Sequence, residues 1–215
     1  MLPVFLRLAG KACLVVGGGP VGYRKVRLLL QEGARITLVS PAAVPELKEL
    51  AAQGKITWLR RSFVPEDIRG MTLIFAAADD RAVNKAVVEV ARRSGIWTNA
   101  ADDPENCDFY LGGVARSGPV VVGVSTSGNS PALASYLRKR LQAELGPGLA
   151  IVAELLGAYR DRVNREIPDE RRRASFWRRA VERLVPIGQS GKGRKELSGE
   201  FERLLLQAGG KERSP

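Results

Sequence analysis

Residues 12–22 read ACLVVGGGPVG, and this run sets out the architecture expected of the first half of the chain. A short apolar run, typical of a buried strand, leads into three glycines and then into apolar residues at helical spacing. Gly17, Gly19 and Gly22 satisfy G-x-G-x-x-G, a pattern that becomes informative when it joins a strand to a helix. Such glycines permit a tight turn, close approach of a diphosphate, and close helix–strand packing. The run therefore predicts a dinucleotide site; the alternative is a glycine-rich turn without a ligand.

Strands and helices alternate from this run to about residue 100. Apolar runs predict five strands, at Ala12–Val16, Arg35–Val39, Ile56–Leu59, Met71–Ala77 and Ile96–Asn99. Helical spacing predicts three intervening helices, at Val21–Gln31, Ala43–Gln53 and Arg81–Ser94. Such alternation implies βαβ units and a parallel sheet with right-handed crossovers.

The pattern changes beyond about residue 110. Two short strands, Val114–Arg116 and Val120–Ser125, flank a turn-forming Ser-Gly-Pro, and a helix then runs from Pro131 to about Leu145. After Gly146-Pro147-Gly148 the sequence predicts three cationic helices, at Leu149–Asn164, Asp169–Leu184 and Lys195–Gln207, and frayed residues 209–215. The predicted fold class is α/β, with a Rossmann-type parallel-sheet domain over 1–112, a small α+β segment over 113–147 and a helical C-terminal domain over 148–215.

The charge balance points to an anionic partner. The chain carries 34 Lys and Arg against 23 Asp and Glu, a formal net charge of +11 with a pI near 10.2. Nucleic acid, an acidic membrane surface or a polyanionic small molecule would each fit this surplus. Because the surplus is spread along the chain, it predicts no compact nucleic-acid footprint. The sequence contains no histidine, which excludes histidine bases, imidazole zinc sites and Ser-His or Cys-His nucleophile pairs.

The cysteines and the apolar runs predict a cytoplasmic protein with no membrane partner. Cys13 and Cys107 lack metal-ligand spacing and are interpreted as reduced structural residues. The N-terminal residues do not follow a signal-peptide pattern, and no apolar run approaches the roughly 20 residues of a membrane span.

The second strand ends without the acidic residue that usually binds the ribose in dinucleotide folds. Val39 is followed by Ser40-Pro41-Ala42, so Ser40 is a candidate for a ribose contact. The alternative is that Ser40 and Pro41 cap the next helix. The residues themselves therefore do not choose between NAD and NADP.

Two polar segments are further candidates. Asn99–Glu105 follows the fifth strand, where open α/β sheets bind ligands, and its carboxylates are candidates for acid–base work unless they form an ordinary Asx/Pro turn. Ser125–Pro131 precedes a helix, and its hydroxyls either hold an anion or cap that helix.

Together these segments resemble the precorrin-2 dehydrogenase and sirohydrochlorin ferrochelatase family, the N-terminal module of siroheme synthases. The resemblance covers about two thirds of the chain, in order, through Leu2–Leu6, Val15–Lys25, Gly33-Ala34, Ala76–Asp80 with Asn84, Asn99–Pro104, Cys107–Phe109 and Val124–Arg138. The sequence departs from the family at Ala78, where threonine is usual, and at Gly112-Gly113, where a proline is usual nearby. Beyond Gly148 only the helical character matches.

The resemblance implies NAD-dependent dehydrogenation of precorrin-2 to sirohydrochlorin. Some family members also insert Fe²⁺ into sirohydrochlorin, without fixed metal ligands, so Fe²⁺ or Co²⁺ is a possible substrate. The family's essential aspartate aligns with Asp102, which is therefore the expected general base. The family is homodimeric, and its dimer contact corresponds to residues 113–147.

The resemblance also assigns binding residues. The expected cofactor contacts are Gly17, Gly18, Gly19, Pro20, Val21, Gly22, Ser40, Pro41, Ala42, Ala77 and Ala78. The expected contacts of the tetrapyrrole substrate are Ser125, Thr126, Ser127 and Asn129.

Two functions of other classes remain as alternatives. The first is a regulatory module that senses NAD(H) without turnover. The second is a nucleic-acid binder that uses the arginine-rich tail, including Arg171–Arg173, Arg178 and Arg179, although no aromatic platform accompanies these charges.

Overall fold

The computed structural model describes residues 1–101 and 103–209. The chain divides into two compact units, one of residues 2–111 and one that begins at Gly112. The division into three segments, with a further boundary at residue 148, stays a prediction.

The first unit is built on a five-stranded parallel sheet of order β3-β2-β1-β4-β5. The strands are β1 (Ala12–Val16), β2 (Arg35–Val39), β3 (Thr57–Leu59), β4 (Leu73–Ala76) and β5 (Trp97–Ala100). Val16 pairs in register with both Val39 and Ala76, so the carboxyl ends of the three central strands lie at one edge of the sheet. This confirms the predicted Rossmann-type fold.

Three helices connect these strands: α1 (Pro20–Gln31), α2 (Pro45–Ala52) and α3 (Arg81–Arg93). Short 3₁₀ helices, which the sequence analysis did not predict, lie at Pro65–Ile68 and Pro104–Asn106. The predicted start of α2 at Ala43 was wrong by two residues. Val44 is extended (φ −61°, ψ 155°) because the ring of Pro45 disfavours helical backbone in the residue before it.

The core of this unit has two layers, one on each face of the sheet. On one face Cys13 and Val15 pack with α1 and α2, and on the other Leu14 and Val16 pack with α3. Each of these four β1 side chains is at most 2% exposed. Burial on both faces explains the continuous apolar runs in the sequence.

The second unit joins a β-hairpin to three helices. The antiparallel strands β6 (Gly113–Ser117) and β7 (Val120–Val124) precede α4 (Pro131–Glu166), α5 (Glu170–Gln189) and α6 (Arg194–Gly209). The Gln142 side chain on α4 covers the free edge of β6, because its amide both donates to the Arg116 carbonyl and accepts from the Arg116 N–H, each at 2.9 Å. Phe176 and Phe201 lie in the core between the helices.

The predicted three-residue break between residues 145 and 149 is confined to Gly146. This residue has non-helical backbone (φ 49°, ψ 170°), and Pro147 then begins the second half of α4. Gly148 is helical and packs so closely on α5 that a Cβ there would lie 1.8 Å from the Gly188 carbonyl oxygen.

The predicted end of α5 at Leu184 was also wrong. The helix continues through Pro186 to Gln189. Proline removes one helical hydrogen bond, but Glu182, four residues earlier, is exposed, so water can bind the carbonyl that loses its partner. The predicted fraying of residues 209–215 falls largely on 210–215, which lie outside the described residues.

Within the described part of the chain, α4 has the length and mean hydropathy (1.2 over 18 residues) of a membrane span. Its 18-residue windows with no more than two charged residues, 141–158 and 142–159, both contain Gly146. Because α4 breaks there, neither window forms one straight helix. The expectation of no membrane partner stays a prediction.

Candidate functional site

A cavity of about 610 Å³ lies at the carboxyl ends of the central strands in the first unit. Its walls are formed by segments that follow four strands: Val16–Pro20, Val39–Val44, Ser62–Phe63 and Ala78–Asp80, with Val83 of α3. This is the position, between β1 and β4, at which the strand order reverses and α/β sheets bind ligands.

The glycine positions of the motif differ in the backbone atoms that a side chain there would meet. Gly17 has φ 118°, and a Cβ there would lie 2.2 Å from the Ala77 carbonyl oxygen. A Cβ on Gly22 would lie 2.0 Å from the Gly17 carbonyl oxygen, and one on Gly18 would lie 2.1 Å from that of Ala42. These three positions therefore require glycine for packing within the protein itself.

Gly19 differs from the other three. A Cβ at this position would meet only the Asp79 carboxylate, at 3.7 Å and 3.9 Å. Gly19 is also the N-cap residue of α1, whose first N–H groups carry partial positive charge. Open space above a helix N-terminus is suited to an anion, so a diphosphate would fit here.

Ser40 forms part of the cavity wall and does not cap a helix. The Trp58 indole N–H donates to the Ser40 carbonyl oxygen at 3.0 Å and to its Oγ at 3.2 Å. The N-cap residue of α2 is Val44, and no side chain caps this end. The capping alternative for Ser40 and Pro41 is therefore wrong for α2.

The end of β4 is held rigidly. The Ala77 N–H donates to the Val16 carbonyl at 2.7 Å. The buried Asn84 side chain accepts from the Ala78 N–H at 2.9 Å and donates to the Ala78 carbonyl at 2.8 Å. These hydrogen bonds fix the backbone that forms the β4 side of the cavity.

Most of the predicted cofactor residues meet at this cavity. Those that line it are Gly17, Gly18, Gly19, Pro20, Ser40, Pro41, Ala42 and Ala78. Val21, Gly22 and Ala77 do not line it, although Gly22 and Ala77 shape the glycine loop. Nine further residues of the described part of the chain line the cavity and were not predicted as contacts: Val16, Val39, Ala43, Val44, Ser62, Phe63, Asp79, Asp80 and Val83. Each lies at the end of a strand, in the segment after it or in the helix that follows, and this position is the one signal that the sequence offers for them.

An ion pair holds the loop that carries Ser62 and Phe63. Arg61 donates to both oxygens of Asp67, at 2.8 Å and 2.6 Å, and the Val64 N–H donates to the same carboxylate at 2.9 Å. The Asp67 side chain is 5% exposed. The hydrogen bonds from Arg61 hold the pKa of Asp67 below its usual value, in spite of the desolvation that opposes this shift.

Asp67→Asn is expected to lower the melting temperature at pH 7 by a few degrees, since it removes the charge that Arg61 binds. Because the pKa of Asp67 is lower in the folded state, its contribution is present above about pH 4 and is lost as pH falls through the folded pKa. Thermal melts between neutral and strongly acidic pH should therefore converge for variant and wild type. Glu66→Gln, a neighbouring exposed acid, is the control. A difference that is constant with pH would contradict the prediction.

The segment that follows β5 contains the expected base. Asp102 lies outside the described residues. Just before it, the buried Asn99 side chain accepts from Lys25 Nζ at 3.0 Å and donates to the Phe109 carbonyl at 3.0 Å. Helix α1 and the chain after β5 are thus tied together at the strand end.

Cys107 is a structural residue, as its lack of metal-ligand spacing indicated. Its sulfur accepts from the Ala100 N–H at 3.2 Å and lies 3.2 Å from the Asp103 carbonyl oxygen. Burial raises the pKa of this thiol, which keeps it protonated.

Asp103 takes part in the turn that the sequence analysis considered. Its carboxylate accepts from the Asn106 side-chain amide at 2.8 Å, and Pro104–Asn106 forms a 3₁₀ turn. Glu105 in the same turn is exposed. The turn alternative is therefore confirmed for Asp103, and a catalytic role for a carboxylate of this segment stays a prediction.

The predicted substrate residues lie in the second unit, between β7 and α4. Ser130 caps α4, since its Oγ accepts from the Leu133 N–H at 3.2 Å. Thr126 Oγ1 donates to the Ser130 carbonyl at 3.0 Å, and Ser125 Oγ accepts from the Ser127 N–H at 3.2 Å. Ser127 has φ 54°, and Asn129 is exposed. The capping alternative is confirmed for Ser130, while a role in binding an anion stays a prediction for the rest of the loop.

Among the described residues, no group of three or more Cys, Asp or Glu side chains is placed to hold a metal ion.

Three family models match successive parts of the chain. Residues 4–113 match a model described as putative NAD(P)-binding, and residues 118–144 match one described as sirohaem biosynthesis protein central. Residues 148–205 match the sirohaem synthase dimerisation region.

Curated relatives and a solved structure agree with these matches. Siroheme synthase of Methylococcus capsulatus is 42% identical over 208 residues, which cover 96% of this chain and 43% of that protein. Siroheme synthase of Neisseria meningitidis serogroup B is 39% identical over 204 residues, covering 93% and 42%. The chain thus spans about two fifths of the length of these relatives. A structure described as SirC, precorrin-2 dehydrogenase, matches with a TM-score of 0.77 and 26% identity over 94% of this chain and all of that one.

Proposed function

Because the chain belongs to the precorrin-2 dehydrogenase and sirohydrochlorin ferrochelatase family, we propose that it catalyses the NAD-dependent dehydrogenation of precorrin-2 to sirohydrochlorin. In this reaction a C–H hydride passes to NAD⁺ and a proton leaves the substrate. NADH, sirohydrochlorin and H⁺ are the products.

The observation that carries the proposal is the cavity at the carboxyl ends of β1, β2 and β4. Packing within the protein accounts for Gly17, Gly18 and Gly22, whereas Gly19 leaves open space beside the N-terminus of α1. A dinucleotide diphosphate would occupy that space, where unpaired backbone N–H groups and the helix dipole favour a negative charge. We assign the cofactor contacts to the predicted residues that line the cavity: Gly17, Gly18, Gly19, Pro20, Ser40, Pro41, Ala42 and Ala78.

The NAD preference is part of the proposal and rests on the family. The β2 side of the cavity carries Ser40 in place of the usual acid, and Ser40 has no charge that would repel the 2′-phosphate of NADP⁺. Measuring both coenzymes is therefore part of the test below.

For the proton we propose Asp102 as the general base, on the basis of the family alignment. The loop of Ser125, Thr126, Ser127 and Asn129 is proposed to bind substrate. Precorrin-2 carries eight carboxylates, and the net charge of +11 would favour association with such a polyanion.

The experiment that tests the dehydrogenase is anaerobic mixing of the protein with precorrin-2 and NAD⁺, with NADP⁺ in parallel. The expected result is one NADH formed for each sirohydrochlorin. NAD⁺ binding without turnover would instead support the regulatory-module alternative. Salt-sensitive binding of a DNA duplex, with no effect of precorrin-2, would support the nucleic-acid alternative.

Insertion of Fe²⁺ or Co²⁺, as substrates, is proposed as a second activity. Its test is sirohydrochlorin with each metal under anaerobic conditions, monitored by absorption. A rate equal to the enzyme-free control would leave the dehydrogenase as the proposed activity.

We further propose a cytoplasmic homodimer. The family resemblance implies a dimer contact in 113–147, whereas the dimerisation-region model matches 148–205. Both segments belong to the second unit. Cross-linking of single cysteines placed in each segment would distinguish them.

A further inference from the structure

Asp79 is a cavity residue to which no role has been assigned. It follows β4, and its carboxylate oxygens lie 3.7 Å and 3.9 Å from the point that a Cβ on Gly19 would occupy. Asp79 is exposed and lines the cavity. The carboxylate therefore faces the space above the glycine loop.

The backbone on both sides of Asp79 is fixed. Asn84 holds both backbone polar groups of Ala78, at 2.9 Å and 2.8 Å. On the other side, Asp80 caps α3, since its Oδ1 accepts from the Ala82 N–H at 2.8 Å. Among the described residues, by contrast, no side chain pairs with the Asp79 carboxylate. The Asp79 carboxylate is therefore a hydrogen-bond acceptor on a fixed backbone, and among the described residues no side chain donates to it.

The sheet topology shows which part of a dinucleotide would meet this acceptor. β1 lies between β2 and β4, so a diphosphate above the β1 loop would place its two nucleosides on opposite sides. In such folds the adenosine ribose binds at the end of β2. The second ribose, which carries the nicotinamide, would then lie at the end of β4 beside Asp79.

A carboxylate close to a diphosphate is unfavourable because like charges repel, unless hydrogen bonds to the carboxylate offset the repulsion. Two ribose hydroxyls would supply these hydrogen bonds, since each can donate to one carboxylate oxygen. We propose that Asp79 is a cofactor-binding residue that accepts hydrogen bonds from the hydroxyls of the nicotinamide ribose. This inference rests on the proposed dinucleotide site and deepens it.

The proposal makes opposite predictions for two kinds of ligand. NAD⁺ and ADP-ribose contain the second ribose, whereas ADP ends at the diphosphate. Asp79→Ala is expected to weaken binding of NAD⁺ and ADP-ribose by about 10- to 100-fold, the usual effect of losing charged hydrogen bonds. Binding of ADP should stay unchanged or become tighter, because a repulsive charge has been removed.

Isothermal titration calorimetry of all three ligands against the full chain provides the measurement. Asp79→Asn is the conservative variant, and Glu89→Gln on the exposed side of α3 removes the same charge from the same unit as a control. Retained ADP binding in each variant shows that the glycine loop is still folded.

Three outcomes would overturn the proposal. Unchanged affinity of Asp79→Ala for NAD⁺ and ADP-ribose would show that the carboxylate makes no ribose contact. Equal weakening of all three ligands would indicate a structural role for Asp79. If wild-type protein bound neither NAD⁺ nor ADP, the proposed function itself would fail, and this result is distinguishable from the other two.

Discussion

Asp102→Asn is expected to slow NADH formation from precorrin-2 by about 10²- to 10⁴-fold, the usual contribution of a positioned general base. Asparagine keeps the shape of the side chain and removes its ability to accept the substrate proton. NAD⁺ affinity should hardly change, because the proposed cofactor contacts lie at other strand ends. The measurement is the rate of NADH formation at saturating NAD⁺, with calorimetry for the coenzyme.

Asp103→Asn is the matched control, one residue along the same segment. Asp103 accepts from the Asn106 amide at 2.8 Å, so its substitution should affect the turn and alter turnover only mildly. Near-normal turnover of the Asp102 variant, with a large loss in the Asp103 variant, would show that the base has been assigned to the wrong carboxylate.

Gly19→Asp is expected to weaken NAD⁺ binding by at least about 100-fold while the protein stays folded. The space at Gly19 is open, so the new side chain fits, and its carboxylate would lie where the diphosphate charge is proposed to bind. Calorimetry should show the loss of binding, and circular dichroism should show native secondary structure.

Two substitutions separate this effect from damage to the fold. Gly19→Ala should fold normally and lose less affinity, because it adds a methyl group without a charge. Gly17→Ala should destabilise the unit, since its Cβ would lie 2.2 Å from the Ala77 carbonyl oxygen at φ 118°. NAD⁺ affinity unchanged in Gly19→Asp would remove the dinucleotide assignment of the cavity.

The order of strands and helices was predictable because its signals are local. Hydrophobic periodicity, and the ends of elements that glycine and proline mark, depend on only a few neighbouring residues. The errors at the start of α2 and the end of α5 concern local effects of Pro45 and Pro186, whereas packing between distant elements explains Gly148. α5 passes through Pro186 because a single lost hydrogen bond on an exposed face is tolerable, and Gly148 stays helical where α4 packs on Gly188.

The cofactor loop could also be predicted from sequence, since its glycines follow a strand directly. The contacts that make each individual position require glycine could not be predicted from sequence. Gly17 is required by Ala77 and Gly18 by Ala42, residues that follow the neighbouring strands β4 and β2 and are distant in the chain. The role of Ser40 depends similarly on Trp58, 18 residues away.

By itself the sequence determined the βαβ architecture, the position of the glycine loop and the chemistry that the lack of histidine excludes. The tertiary structure alone decided how two adjacent aspartates differ: both line the cavity, but Asp80 caps α3, whereas the Asp79 carboxylate lies beside Gly19. It also decided that Lys25 binds Asn99 across 74 residues of sequence. The physical reason is that a parallel sheet gathers the ends of its strands at one edge, so partners at a site are set by strand order and not by spacing along the chain.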